Sequence, residues 1–401
     1  MTEVSIAECL GGEQFAAQVL HRDFSHVKAA LSPSAVAGLV GFDDLNDLLA
    51  LHRLEAPRLR LSQGGQILPV HRYATREVTR RRTVWERVHP AELHERLAQG
   101  ASLVIDAIDE LHGPVGLLAE QIEAWLHTAC QVNAYASWTA EQGFGTHWDD
   151  HDVIVVQVEG AKRWRIYGPT RVHPMHVDVI EPEEPQGEPL AELVMEPGDV
   201  LYLPRGWWHE VTADQGVPSL HLTCGLTPRT GADLMSWLGE KLRAHDALRA
   251  DLPVHADPRE QAEYAEHLAK LVRAELERPG LISEYVRARD GDALGRMRPS
   301  LPFVSEVPAD AELLVRMTSA RARIEPGAVG DGVTLRAAGG SWDLAAAARP
   351  MLELLLATIG GTPVRLGDLA AAAGASVEDV AALVGEFVAG QAVTVAAGES
   401  R

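Results

Sequence analysis

The chain has 401 residues, 46% of them hydrophobic and 23% charged, with a formal charge of −21. That length allows two or three domains with ample core, and the ordinary composition excludes disordered and fibrous classes. No apolar run is long enough to span a bilayer, and the acidic balance opposes generic binding to nucleic acid while suiting a basic partner.

In chain order, Met1-Thr2-Glu3-Val4 lacks the basic-then-apolar opening of a signal peptide. Residues 1 to about 70 read as mixed and mostly helical, with helices near 12–20 and over Phe42 to Leu49. An amphipathic helix over 115–127 carries Leu117, Leu118, Ile122 and Trp125. Short strands separated by Gly and Pro then dominate from about 130 to 226. That pattern predicts an α+β chain built on a double-stranded β-helix, the jelly-roll of cupins. Cys9, Cys130 and Cys224 are dispersed, which points to free thiols in a reducing cytoplasm and against a disulfide frame.

After Thr227-Pro228 the composition shifts. Residues 229–300 read as helical, with Leu234, Leu238 and Leu242 in one stripe and Leu268, Leu271, Val272 and Leu276 in another. Pro299, Pro302 and Pro308 mark a linker. The tail, 309–401, offers helices over Pro350–Thr358 and 365–373, then Gly374, a helix capped by Ser376 and running to Val388, and a strand at Val393-Thr394-Val395. The order is that of a winged helix. From Arg349 to Arg401, however, three arginines face six acids, and the candidate recognition helix carries Glu378, Asp379 and Glu386 with no base. That sign is wrong for phosphate contacts, so no specific DNA binding is expected. The domains are therefore 1–228, 229–300 and 309–401.

The chemistry concentrates in Gly145-Thr146-His147-Trp148-Asp149 and Pro197-Gly198-Asp199-Val200-Leu201-Tyr202-Leu203-Pro204-Arg205-Gly206-Trp207-Trp208-His209. His147 and Asp149 are two apart, so on a strand they share a face. Pro-Gly-Asp makes a tight turn, Val200 to Leu203 a short buried strand, and Pro204-Arg205-Gly206 a second turn that delivers His209. Two histidines and a carboxylate form the facial triad of non-haem iron oxygenases, which leaves coordination positions open. His151 shares the parity of His147 and Asp149, but His209 completes the set better, and His151 reads as lining the pocket.

Alternation in Lys162-Arg163-Trp164-Arg165-Ile166-Tyr167 puts Lys162 on the inward face with Trp164 and Ile166. An inward ammonium needs an anion, and a dicarboxylate chelating the metal would supply one. In the same way Ser219, His221 and Thr223 alternate with Leu220, Leu222 and Cys224, giving one polar strand face inside a barrel. His221 either donates to a co-substrate or is a core histidine with a backbone partner.

These segments, together with Asn133-Ala134-Tyr135, Gln142-Gly143-Phe144 and Gln157-Val158-Glu159-Gly160, resemble the JmjC-type 2-oxoglutarate oxygenases, and within them the cupin-like ribosomal oxygenase family. The resemblance covers roughly residues 10–230, and the tail fits the family layout. It implies that His147, Asp149 and His209 hold Fe(II), that Lys162 holds the distal carboxylate of 2-oxoglutarate, and that Asn133 and Tyr135 line the pocket. It also implies a dimerisation role for the helical module, hence a homodimer. The implied activity is hydroxylation of an Arg or His side chain on a ribosomal protein, a basic substrate that suits an acidic enzyme. Two other readings stand beside it: a tailoring hydroxylase of a peptide or small molecule, and a metal-binding cupin regulator without turnover.

Overall fold

The computed structural model describes residues 5–141, 143–179, 185, 187–214, 216–327 and 331–398. They divide into two units: Met1–Thr227 with Ala357–Pro363, and Pro228–Leu356 with Val364–Arg401. Gln142 lies outside the described residues.

In the first unit, α1 (Ile6–Leu10), α2 (Gly12–Gln18), α3 (Pro33–Ala37) and α4 (Phe42–Leu51) are interleaved with β1 (Ser25–Val27). β2 (Leu59–Gln63), β3 (Gln66–Ile67), β4 (Ala74–Val78) and β5 (Val84–Val88) precede α5 (Pro90–Ala98), β6 (Ser102–Ile105) and α6 (Gly113–Leu126). The barrel strands follow: β7 (Cys130–Ser137), β8 (Asp152–Glu159), β9 (Ala161–Pro169), β10 (Ala191–Met195), β11 (Val200–Leu203), β12 (Trp207–Asp214) and β13 (Ser219–Leu226). The large sheet has the order β1-β11-β8-β13-β7-β6-β2-β3, and a small sheet has the order β10-β9-β12. The start is mixed and mostly helical, as expected. The first 70 residues also supply three strands, and the large sheet begins well before residue 130.

β8 shows why the sheets pack as they do. Its run Val153-Ile154-Val155-Val156 is β-branched and lies between β11 and β13, so both edges are paired, and side chains on both faces are buried. Ile154, Val156 and Val158 join the helix-covered core with Leu118 and Ile122 of α6. Val153 and Val155 point the other way, against Trp164, Ile166, Met195 and Leu201, and form the core between the two sheets.

Two glycines are required by these turns. Gly160 joins β8 to β9 at φ +60°, and a Cβ there would lie 2.0 Å from the Pro218 carbonyl oxygen. Gly198 sits at φ +95° in the Pro197-Gly198 turn, closed by the Asp199 N–H donating to the Glu196 carbonyl at 2.9 Å. The Asp199 carboxylate then accepts from the Ala29 N–H at 2.8 Å, tying the start of β11 to the N-terminal segment.

The second unit opens with α7 (Gly231–Leu242), α8 (Asp246–Arg249), α9 (Pro258–Leu276) and α10 (Leu281–Gly291). Thr230 and Asp233 cap α7 reciprocally, and the Asp257 side chain caps α9. Asp290 at the end of α10 is fully buried and held by Arg229 at 2.8 Å and Arg323 at 2.9 Å. The tail contains β14 (Leu314–Met317), β15 (Arg323–Pro326), β16 (Val333–Ala337), β17 (Gly340–Leu344), α11 (Arg349–Leu356), β18 (Val364–Arg365), α12 (Leu366–Ala373), α13 (Val377–Ala389) and β19 (Val393–Ala396). β18-β14-β19 form one sheet, and β15-β16-β17 form a meander that the sequence reading did not anticipate. Among the described residues, no helix is long and apolar enough to cross a membrane.

Candidate active site

The segment carrying His147 pairs directly with the start of β12. The His147 N–H donates to the His209 carbonyl at 3.0 Å, and the His209 N–H returns to the His147 carbonyl at 2.8 Å. The two ring centroids are 4.4 Å apart. A register shift between Trp208 and His209 bulges β12, and it re-aims His209 toward the interior. Asp149 follows two residues after His147, with a carboxylate oxygen 3.8 Å from His209 Nε2. One donor atom from each of His147, Asp149 and His209 lies within 4.8 Å of the others, so the three could hold a metal ion.

The tautomers suit that use. His147 Nδ1–H donates to the Gly145 carbonyl at 3.0 Å, and His209 Nδ1–H donates to the Trp207 carbonyl at 2.9 Å. Each leaves the Nε2 lone pair for a ligand role. Burial, with the neighbouring His147, pushes the His209 imidazole down to about 4, so it stays neutral at physiological pH.

The three donors open onto a cavity of about 290 Å3, lined also by Arg60, Asn133, Tyr135, His151, Lys162, Trp164, His221 and Thr223. Lys162, Trp164 and Ile166 are buried, as the alternation requires, while Arg163, Arg165 and Tyr167 are not. Lys162 is only 3% exposed, and its one hydrogen bond among the described residues is to the Tyr135 carbonyl at 3.4 Å. Burial lowers its ammonium to about 7. Trp164 Nε1 and His221 Nδ1 are also buried without hydrogen-bond partners among the described residues. Two unpartnered polar atoms and one ammonium with a single long hydrogen bond therefore belong to residues that line one cavity, an arrangement that suits a polar ligand.

Tyr135 stacks on His221, and burial and the Asp149 charge push its hydroxyl up to about 12. Asn133 Oδ1 accepts from the Ala107 N–H at 3.0 Å, which fixes that amide at the rim. His151 lines the cavity but turns its Nδ1 to Asp150 at 3.1 Å, outside the cluster of three. Trp138, just past the end of β7, packs on Phe42 with ring centroids 5.7 Å apart.

Sequence reasoning missed Arg60 and its partner. Arg60 of β2 grips Asp106, just past β6, through Nε at 2.6 Å and Nη2 at 2.7 Å. The signal was present in Leu59-Arg60-Leu61, where one charged residue interrupts two buried leucines. Assigning no strand there hid it.

Residues 113–234 match the family model for the JmjC domain. This chain therefore contains a JmjC-like region, which spans less than half of its length. The bifunctional lysine-specific demethylase and histidyl-hydroxylase NO66 of Drosophila persimilis is 39% identical over 106 residues, which cover 26% of this chain and 15% of that one. Ribosomal oxygenase 1 of Rattus norvegicus is 43% identical over 94 residues, covering 23% of this chain and 16% of that one. The matched stretch is thus a small part of these relatives. Over nearly the whole length the fold is that of YcfD, a ribosomal oxygenase from Escherichia coli solved with cobalt and 2-oxoglutarate. The TM-score is 0.61 at 17% identity, covering 96% of this chain and 97% of that one. The JmjC domain contains all three candidate metal donors and Lys162, whereas Arg60 and Asp106 precede it.

Proposed function

We propose that the chain is an Fe(II)- and 2-oxoglutarate-dependent oxygenase that hydroxylates a His or Arg side chain of a ribosomal protein. The observation that carries this reading is the buried Lys162 ammonium, without a counter-ion among the described residues, in the same cavity as the open His147–Asp149–His209 face. A dicarboxylate that chelates a metal at one end and meets Lys162 at the other satisfies both. Trp164 Nε1 and His221 Nδ1 offer further hydrogen bonds to it. When bound, iron supplies dioxygen activation coupled to decarboxylation of 2-oxoglutarate, giving succinate, carbon dioxide and one oxygen atom in a C–H bond of the substrate.

The chain's own residues do the rest. Gly145 and Trp207 carbonyls fix the two imidazoles. Val153, Trp164 and Val211 wall the cavity with apolar surface and limit water. Among the lining residues the one acid is Asp149, a proposed metal ligand, and the Arg60 guanidinium is already paired with the carboxylate of Asp106. That balance favours a neutral imidazole over a guanidinium, and the relatives named histidyl-hydroxylase support the same choice. The test is intact-mass comparison of ribosomal proteins from wild-type and deletion strains. One protein should lack a single oxygen atom in the deletion strain and regain it with purified enzyme, Fe(II) and 2-oxoglutarate. A change in a metabolite or secreted peptide instead would favour a tailoring hydroxylase.

The second unit is read as a dimerisation module followed by a winged helix built from β14, α11, α12, α13, β18 and β19. α9 has an apolar stripe through Leu268, Leu271 and Leu276 yet buries no residue in a single copy. A second copy would cover it, and Leu271→Glu should shift a dimer to monomer in sedimentation. α13 presents Glu378, Asp379 and Glu386 and no base, which fits docking of protein and not DNA. Cys9, Cys130 and Cys224 form no disulfide with one another, which fits a cytoplasmic setting.

A further inference from the structure

The hairpin β4–β5 stands apart from both sheets of its unit and carries a charge opposite to the rest of the chain. Between His71 and His89 lie six arginines, at 72, 76, 80, 81, 82 and 87, against Glu77 and Glu86. The segment is therefore +4, and the other residues together sum to −25 of the total −21. Among the described residues, none of Arg72, Arg76, Arg80, Arg81 or Arg82 joins an ion pair, and all five are exposed. Only Arg87 is paired, with Glu77 at 3.3 Å.

The hairpin is ordered, not a loose loop. Its strands pair from Ala74↔Val88 to Val78↔Val84. At the tip the Thr79 N–H donates to the Thr83 carbonyl and the Arg82 N–H to the Thr79 carbonyl, each at 2.9 Å. The Thr83 N–H adds a bond to Thr79 Oγ1 at 3.1 Å, and Arg82 takes φ +60°. At the root Tyr73 is buried, the Arg53 guanidinium lies 4.1 Å over Trp85, and the Glu86 N–H donates to Glu55 at 3.0 Å. Three consecutive arginines thus project from a fixed turn on a two-stranded ribbon.

We propose that this arginine-tipped hairpin is a docking element for the phosphate backbone of RNA. Unpaired arginines held close together repel one another, and the guanidinium fork matches phosphate oxygens bidentately. The acidic remainder would push a polyanion away, which confines contact to this one element and orients it. The exposed Thr79 and Thr83 hydroxyls add neutral donors on the same ribbon. The choice of RNA among polyanions rests on the proposed ribosomal substrate, because such a protein is met beside RNA. The phosphate contact itself does not rest on it.

The test measures fluorescence anisotropy of a labelled RNA stem-loop with the full chain and with the triple variant Arg80→Gln, Arg81→Gln, Arg82→Gln. Wild type should bind with strong salt dependence. The variant should bind at least tenfold more weakly at moderate salt, with the slope of log K against log salt reduced by about 2. Its melting temperature and 2-oxoglutarate binding should match wild type. Absent RNA binding, or binding unchanged in the variant, overturns the proposal. Equal competition by a DNA duplex, polyglutamate or anionic vesicles overturns the assignment to RNA. Should RNA bind through the hairpin while succinate formation fails, the oxygenase reading falls and the docking element stands.

Discussion

Tyr135 and His221 occupy directly opposed positions on β7 and β13, and their rings stack with centroids 5.1 Å apart and planes 6° from parallel. The stack holds His221 in the cavity wall, with Trp164 at its edge and Nδ1 without a partner among the described residues. It joins the two possibilities that alternation left open: His221 is packed like a core residue yet presents a polar edge to the ligand space.

His221→Phe should separate those roles. The ring stack survives and the polar edge is lost, so melting temperature should change little. 2-Oxoglutarate affinity should fall roughly tenfold, from about 1.5 kcal/mol for one hydrogen bond to a carboxylate. Unchanged affinity in a ligand titration would make His221 a packing residue only.

Co-substrate binding should depend on pH through Lys162. Burial sets the free ammonium near 7, and a bound carboxylate raises it. Above pH 7 the free protein has lost this proton and must regain it on binding. Affinity should therefore fall as pH rises, approaching tenfold per unit, with proton uptake visible by calorimetry in buffers of different ionisation enthalpy. Lys162→Met should bind weakly with no such slope. Absence of proton uptake by wild type at pH 8 would contradict the buried, unpaired state.

Removal of metal donors should be selective. His209→Ala leaves two donors and should lose most iron binding, as should His147→Ala. His151→Ala should retain substantial iron, because its Nδ1 serves Asp150. Iron loss from His151→Ala as complete as from His147→Ala, by metal analysis, would mean the triad is wrongly chosen.

Delivery of His209 depends on a buried anchor just upstream. Asp152 accepts from His21 Nδ1 at 2.6 Å, from the Tyr202 hydroxyl and from the Arg205 N–H at 3.0 Å, and Tyr202 also accepts the His21 N–H. Tyr202→Phe should cost about 1–3 kcal/mol in denaturant unfolding by stripping these buried bonds. Burial by itself raises the Asp152 carboxyl, but its hydrogen bonds outweigh this and lower it. Its contribution is thus present above the unfolded value of about 3.9 and lost as pH falls through the lower folded value. In Tyr202→Phe acid unfolding should begin at higher pH; an unchanged acid midpoint would remove the hydroxyl from this role.

What the sequence made legible was whatever depends on local period. Lys162 and Trp164 fell on the inward face because strands alternate, and Pro197-Gly198 turned because no bulkier residue takes φ +95° there. The Trp208/His209 bulge was invisible, since it arises from pairing with β9 and from no local pattern. Arg60 and Asp106 meet only because β2 pairs with β6. The whole-chain charge concealed the hairpin, whose arginines matter by position and not by sum.

The most direct measurement is succinate formation by the purified chain with Fe(II), 2-oxoglutarate and ribosomal protein extract. The expected result is succinate that requires iron, rises with the extract and disappears in His209→Ala. Iron and 2-oxoglutarate bound in the cavity without any succinate, with or without extract, would contradict the account and leave a binding protein.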